Sequence, residues 1–106
     1  MKAQDYTVAH FNLMADLAIR LSSKSVQLLE HSYNHEAFGS WWFICKSSGQ
    51  QFRIVFDGKD YLLRIQISAG KHWKDIASHQ ARESDSVEMA TYIIEALKKY
   101  RVEMHG

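Results

Sequence analysis

Residues 40–68 decide the fold and read SWWFICKSSGQQFRIVFDGKDYLLRIQIS. Three short runs within this stretch alternate apolar and polar residues, at positions 41–46, 51–57 and 60–68. Successive side chains of a strand point to opposite faces, so this alternation is typical of strands that are buried on one side. Glycine-containing turns separate the runs. The stretch therefore predicts an antiparallel meander of three strands on which the rest of the chain packs.

The first turn sets the register of two of these strands. Ser48 and Gly49 form a two-residue loop, which is a common connection in β-hairpins. This loop places three side chains of each strand on one face, which we expect to be the core. The predicted pairs are Cys45 with Phe52, Phe43 with Ile54, and Trp41 with Phe56.

The second turn has two candidate positions, and cross-strand charges distinguish them. A loop at 58–59 creates two like-charge pairs, which destabilise a sheet: Asp57 with Asp60, and Arg53 with Arg64. A type I′ turn at 57–58 has the favoured Asp-Gly sequence, avoids both pairs and places Arg53 opposite Leu62. We therefore predict the turn at 57–58.

The face opposite the predicted core mixes apolar and charged side chains. In the predicted register its rows are Lys46, Gln51 and Arg64; Ile44, Arg53 and Leu62; and Trp42, Val55 and Asp60. Tryptophan and arginine dominate the hot spots of protein interfaces. The candidate partner-binding residues are therefore Trp42, Ile44, Arg53, Val55, Asp60, Leu62 and Arg64. A second interpretation stays open, in which a helix covers this face, because a sheet can carry helices on one face or on both.

Amphipathic helices are predicted on both sides of the meander. Apolar residues recur at intervals of three and four over 5–21, where the predicted buried stripe is Phe11, Met14, Leu17, Ala18 and Leu21. A second helix begins near Asp85, which caps it together with Glu88, and ends near Arg101. Its predicted stripe is Val87, Ala90, Ile94 and Leu97, widened by Met89, Ile93 and Tyr100.

Two segments have weaker patterns. Residues 26–33 fit a strand or a continued helix, and we favour a strand followed by a loop at 34–37. Residues 71–83 lack a clear period and are predicted as a loop with at most a short strand. The expected fold is a single α+β domain over residues 1–106, with an antiparallel meander of three to four strands and a helix at each end.

Composition narrows the classes of function. The chain of 106 residues is 46% hydrophobic and 24% charged, as is typical of soluble globular proteins. Its 13 basic and 12 acidic side chains give a formal net charge of +1, so long-range attraction to nucleic acids or anionic membranes is weak. Cys45 is the sole cysteine, so no internal disulfide can form, as is typical of a protein in a reducing compartment. Polar residues interrupt the apolar stretch at 8–19, which argues against a signal peptide or a membrane span. We expect a cytoplasmic protein.

No segment has the spacing of a catalytic or cofactor motif. His31, His35 and Glu36 would approach one another if their segment were helical, but no further cluster supplies the remaining ligands of a metal site. The predicted register points Cys45 into the core, where a thiol is inert. The glycines fit turns rather than a phosphate-binding loop. We therefore predict no enzymatic activity, no cofactor and no metal.

With its N-terminal helix, the meander of residues 40–68 and a closing amphipathic helix, the chain resembles the small cytoplasmic immunity proteins of bacterial contact-dependent and polymorphic toxin systems. The resemblance is one of organisation, because that group has no shared diagnostic motif. It implies a non-enzymatic inhibitor that binds a cognate toxin domain, often a nuclease. Such proteins often present acidic surfaces, for which the candidates here are Asp57, Asp60, Asp75, Glu83, Asp85 and Glu88.

Two alternatives use the same face. The order helix, three strands, helix is also similar to that of double-stranded RNA-binding domains, where Trp42, Arg53 and Arg64 would stack on bases or contact phosphates. Acidic residues at the start of the last helix, where that family has a basic cluster, make nucleic acid the less favoured partner. The third candidate is a homodimer formed through this face.

Overall fold

The computed structural model describes residues 2–34, 39–82 and 84–105. Two helices flank the strands in the order α1 (Lys2–Ser22), β1 (Gln27–Asn34), β2 (Ser40–Ser47), β3 (Gln50–Asp57), β4 (Leu62–Ala69), β5 (His72–Gln80) and α2 (Ser86–His105). Each strand pairs antiparallel with the next along the chain. The prediction of an α+β fold with an antiparallel meander is confirmed. The prediction of three to four strands is wrong, because the described residues form five.

The hairpin of β2 and β3 has the predicted register. Its inward pairs are those expected from the two-residue loop: Trp41 with Phe56, Phe43 with Ile54, and Cys45 with Phe52. Ser48 and Gly49 have φ angles of 53° and 79°. A type I′ turn requires positive φ at both central residues, which explains why this short loop fixes the pairing.

The connection between β3 and β4 differs from the prediction. Asp57 pairs with Leu62, so residues 58–61 form a four-residue loop instead of a turn at 57–58. Positive φ occurs at Tyr61, at 55°, and the Asp57 carboxylate accepts the backbone N–H of Lys59 at 2.9 Å. These local bonds favour the longer loop, an alternative that charge pairing alone did not identify. Asp60 therefore lies in the loop and not in a strand.

The longer loop shifts the register of β4 by four residues. Arg53 pairs with Gln66 instead of Leu62, and Arg64 pairs with Val55. Because four is an even number, every side chain of β4 stays on its predicted face while its neighbours change.

The segments at the two sheet edges had weak sequence patterns. Residues 27–34 form β1, which confirms the strand favoured for this segment, and the predicted loop at 34–37 lies outside the described residues apart from Asn34. Residues 72–80 form β5, so the prediction of a loop with at most a short strand is wrong. Every side chain of β5 stays at least partly exposed, and a bulge at Ile76 shifts its alternation. Both effects remove the period that a half-buried strand normally shows.

Both helices pack on one face of the sheet, which we call the inner face, and they also contact each other. The side chains that are fully buried between the layers are Leu17, Leu21, Phe43, Cys45, Ile54, Leu63, Ile65, Ile93 and Leu97. Two predicted core residues point outward, because Phe11 is 69% exposed and Val87 is 46% exposed. In α1 the inward position beside Met14 is taken by His10, whose ring stacks on Tyr33 with 3.8 Å between centroids.

Local hydrogen bonds cap the C-terminus of α1 and the N-terminus of α2. α1 ends in a Schellman motif in which Ser25, with φ at 64°, takes the left-handed conformation usually given to glycine. The backbone N–H of Val26 then bonds the carbonyl of Leu21 at 2.9 Å. At the start of α2, Asp85 accepts the backbone N–H of Glu88 at 2.9 Å, as the capping-box spacing predicts.

Candidate protein-binding face of the sheet

The second face of the sheet, which we call the outer face, is not covered by α1 or α2. Both helices belong to the core on the inner face, whereas Trp42, Ile44, Val55 and Leu62 take no part in that core. These four apolar side chains stay partly exposed. Of the two interpretations left open by the sequence, the uncovered face is therefore the one that the structure has.

The strand register arranges the outer face in rows that cross the five strands. One row is Glu30, Ile44, Arg53, Gln66 and Asp75. The next row is Ser32, Trp42, Val55, Arg64 and Ser78. Each row has an apolar side chain on β2 and an arginine on β3 or β4. The centre of the face is thus apolar, with guanidinium groups beside it.

Arg53 is held by two neighbours on the outer face, Gln66 and Trp73, and Gln66 is held in turn by Asp75. Its Nε donates to Oε1 of Gln66 at 2.7 Å, and Nε2 of Gln66 donates to Oδ1 of Asp75 at 2.7 Å. The guanidinium carbon of Arg53 also lies 5.0 Å from the ring centroid of Trp73. This geometry suits a cation–π contact and fixes the direction of the side chain. Arg53 is accordingly a preorganised part of the surface.

Arg64 differs from Arg53 in its partners. Within the described part of the chain, we find no hydrogen bond, ion pair or aromatic ring contact of its guanidinium group. Arg64 borders a shallow depression of about 430 Å³ whose floor includes Trp42 and Val55. The other residues that line it are Ser32, Ser40, Trp41, Phe56 and Asp57.

The charges of the outer face balance. Its described ionisable side chains are Lys46, Arg53 and Arg64 on the positive side and Glu30, Asp57 and Asp75 on the negative side. A phosphate-binding surface normally carries a clear excess of positive charge. The balanced face is closer to an ordinary protein interface, in which apolar area is mixed with both signs of charge.

The structure brings six of the seven predicted site residues together and separates one. Trp42, Val55 and Arg64 share one row, and Ile44 and Arg53 share the next. Leu62 lies on the same face opposite Asp57, whereas Asp60 lies in the loop at 58–61. Of the predicted acidic contacts, Glu83 lies outside the described residues.

The outer-face residues on the two edge strands were not predicted from the sequence. Glu30 and Ser32 of β1 and Trp73 and Asp75 of β5 extend the rows, but the pairing of these strands was not predicted. The Trp73 side chain was a usable signal, because a large aromatic group in a segment without a period has to pack against some surface.

A second exposed apolar surface lies on α1. Val8, Phe11 and Ile19 are 59%, 69% and 70% exposed, and their spacing places them along one side of the helix. This stripe, which we call the α1 stripe, is separate from the outer face because α1 packs on the inner face. The α1 stripe is therefore the alternative candidate for a binding surface.

Burial shifts the pKa values of the histidine and cysteine side chains near the core. Nε2 of His10 and Nε2 of His31 lie 2.7 Å apart, so one neutral imidazole donates to the other. Burial, and to a lesser extent the neighbouring His31, lowers the pKa of His10 to about 4. Burial raises the pKa of the Cys45 thiol to about 12, which keeps it protonated and unreactive.

The described residues contain no cluster of three or more histidine, cysteine or carboxylate side chains that could hold a metal ion. His35 and Glu36 of the predicted His31 cluster lie outside the described residues. Over its described length, neither helix is long and apolar enough to cross a membrane.

Comparisons of the chain with models of protein families, with curated proteins and with solved structures found no match.

Proposed function

We propose that this chain is a non-enzymatic protein-binding domain that uses the outer face of its sheet. The observation that carries the proposal is the placement of both helices on the inner face, which leaves Trp42 and Val55 paired on a partly exposed surface. Leaving apolar area in water is unfavourable, so a partner that covers it gains the free energy of burial. Arg53 is already fixed by Gln66 and Trp73, so less conformational entropy is lost when it makes a contact.

We further propose that the partner is a cognate bacterial toxin domain, with a nuclease as one candidate, and that the chain acts in the cytoplasm as its immunity protein. This part rests on the resemblance in organisation. A domain with an exposed surface of 6895 Å² can devote about 800 Å² to a standard interface, and the outer face offers a surface of mixed chemistry for it.

The RNA-binding alternative receives less support. The balanced charge of the outer face gives little attraction to a phosphate backbone. The described residues also follow the order helix, five strands, helix, whereas the similarity to double-stranded RNA-binding domains depends on three strands. Absence of RNA binding at low salt would remove this alternative.

The test of the proposed function joins affinity capture with a toxicity assay. The tagged chain is isolated from its native host, and the stoichiometric partner is identified by mass spectrometry. The partner gene is then expressed in bacteria alone or together with the chain. We expect expression of the partner alone to arrest growth and co-expression of the chain to restore it.

Two variants connect this assay to the surface. Trp42→Ala removes the central outer-face aromatic and should fail to restore growth, whereas Phe11→Ala changes the α1 stripe and should restore it. A captured partner whose expression is harmless would contradict the immunity function, as would the absence of a stoichiometric partner.

A further inference from the structure

The depression beside Arg64 indicates the chemistry of the partner segment that it receives. We infer that it binds a protein segment in which an acidic side chain lies next to a large apolar one. The inference rests on the proposed function, since it concerns the same outer face, and it adds the kind of side chains that the partner must present.

The apolar half of the site comes from two strands. Trp42 and Val55 are direct cross-strand neighbours, and both contribute to the apolar lining of the depression, together with Trp41 and Phe56. The volume of about 430 Å³ accommodates one large side chain and the groups beside it. A leucine or an aromatic side chain placed here would bury the exposed part of the Trp42 indole.

The charged half of the site is the Arg64 guanidinium. Arg64 pairs with Val55 in the same row and lines the depression beside its apolar residues. Arg53 is bonded to Gln66 and lies over Trp73, whereas we find no such partner for Arg64 among the described residues. A guanidinium group binds a carboxylate through two parallel hydrogen bonds, and the apolar surroundings strengthen such a pair.

Among the described residues, the one carboxylate that lines the depression bonds to the backbone of the neighbouring loop. Asp57 borders the depression, but its Oδ1 accepts the backbone N–H of Lys59 at 2.9 Å and that of Asp60 at 3.4 Å. Asp57 therefore serves the loop at 58–61. A carboxylate from the partner is the group that completes the coordination of Arg64.

The test selects peptides from a library of random twelve-residue peptides displayed on phage, with the wild-type chain as bait. The dissociation constant of each selected peptide is then measured for wild type and for the Arg64→Glu variant. Lys46→Glu is the matched control, because it makes the same change of charge on an exposed residue of the outer face that does not line the depression.

We expect the selected peptides to have Asp or Glu next to Leu, Phe, Tyr or Trp. Their dissociation constants should rise about tenfold or more in Arg64→Glu and change less than about threefold in Lys46→Glu. Selected peptides that lack the acidic residue, peptides that bind Arg64→Glu as well as wild type, or a library that yields no binder would each overturn the inference.

The outcomes of this selection are separate from those of the toxicity assay. A harmless partner would contradict the immunity function and leave the peptide preference intact. Peptides without an acidic residue would contradict the chemistry of the depression and leave the growth assay unaffected.

Discussion

Trp41 and Trp42 are adjacent in the chain but lie on opposite faces of the sheet. Trp41 is 3% exposed and stacks on Phe56 with 5.3 Å between ring centroids, whereas Trp42 faces outward beside Val55. The pleat of β2 causes this division, because successive side chains of a strand alternate. One dipeptide thus supplies a core residue and a surface residue of the same chemical type.

The two tryptophans should therefore differ in their effect on stability. We expect Trp41→Ala to lower the free energy of unfolding by about 3–5 kcal/mol, since it removes a buried aromatic ring and leaves a cavity. Trp42→Ala should cost about 1 kcal/mol or less, because it removes one cross-strand pair on a partly exposed face. Chemical denaturation followed by circular dichroism measures both values. Equal losses would show that the outer face is covered in solution.

The contact of Arg53 with Trp73 should appear as a coupling energy. A double-mutant cycle of Arg53→Ala and Trp73→Ala is expected to give about 0.5–1 kcal/mol, which is the usual size of a partly exposed cation–π contact. The cycle of Arg64→Ala with Trp73→Ala is the control. We expect it to give no coupling beyond error, and similar coupling in both cycles would contradict the arrangement of the two arginines.

The pair of His10 and His31 should make stability depend on pH. The pKa of His10 is lowered to about 4 in the folded state, while in the unfolded chain it is near 6.5. Between these values the unfolded state binds more protons at His10, so the contribution of His10 to stability falls as the pH is lowered from about 6.5 and levels off below about 4. Burial also lowers the pKa of His31, which adds a contribution of the same sign.

The measurement for this prediction is the free energy of unfolding from pH 4 to pH 8. His10→Phe keeps a ring to stack on Tyr33 and removes the titrating group. We expect the variant to show a clearly smaller loss of stability on acidification than wild type. Identical pH profiles for the two proteins would show that His10 does not titrate in this way.

The turn at 48–49 should respond differently to substitutions at its two positions. Gly49 has φ at 79° with open space around the position of a Cβ atom, so Gly49→Ala costs only the backbone strain, about 1 kcal/mol. Ser48 also has positive φ, so Ser48→Gly relieves backbone strain. This gain offsets the conformational entropy that glycine adds to the unfolded chain. We expect Ser48→Gly to stay within about 0.5 kcal/mol of wild type in thermal denaturation. A cost of Ser48→Gly as large as that of Gly49→Ala would contradict the type I′ turn.

The sequence predicted those parts of the fold in which local chemistry and burial agree. The hairpin of β2 and β3 was correct in register because a two-residue loop leaves one solution. The loop at 58–61 was wrong because cross-strand charges compared two short turns, whereas side-chain bonds from Asp57 support a longer one. β5 was missed because an edge strand with a bulge has no period to recognise.

The sequence predicted on which face of the sheet the strand residues of the candidate site lie, but it did not predict which of them are neighbours. The outward direction of Trp42 and Arg64 follows from alternation, which survives an even shift of register. Their shared row depends on the loop at 58–61 and could not be derived from the pattern. Phe11 was assigned to the core because helical spacing alone does not show which of two apolar sides faces inward, and the stacking of His10 on Tyr33 decides that rotation.

The most direct test of the outer face as the binding surface is the dissociation constant of the captured partner, measured by isothermal titration calorimetry. Wild type is compared with Trp42→Ala and with Phe11→Ala, which alters the competing α1 stripe. We predict that Trp42→Ala weakens binding about 30-fold or more, as expected for a hot-spot residue, and that Phe11→Ala changes it less than about twofold. Strong weakening by Phe11→Ala, with Trp42→Ala binding like wild type, would contradict the account.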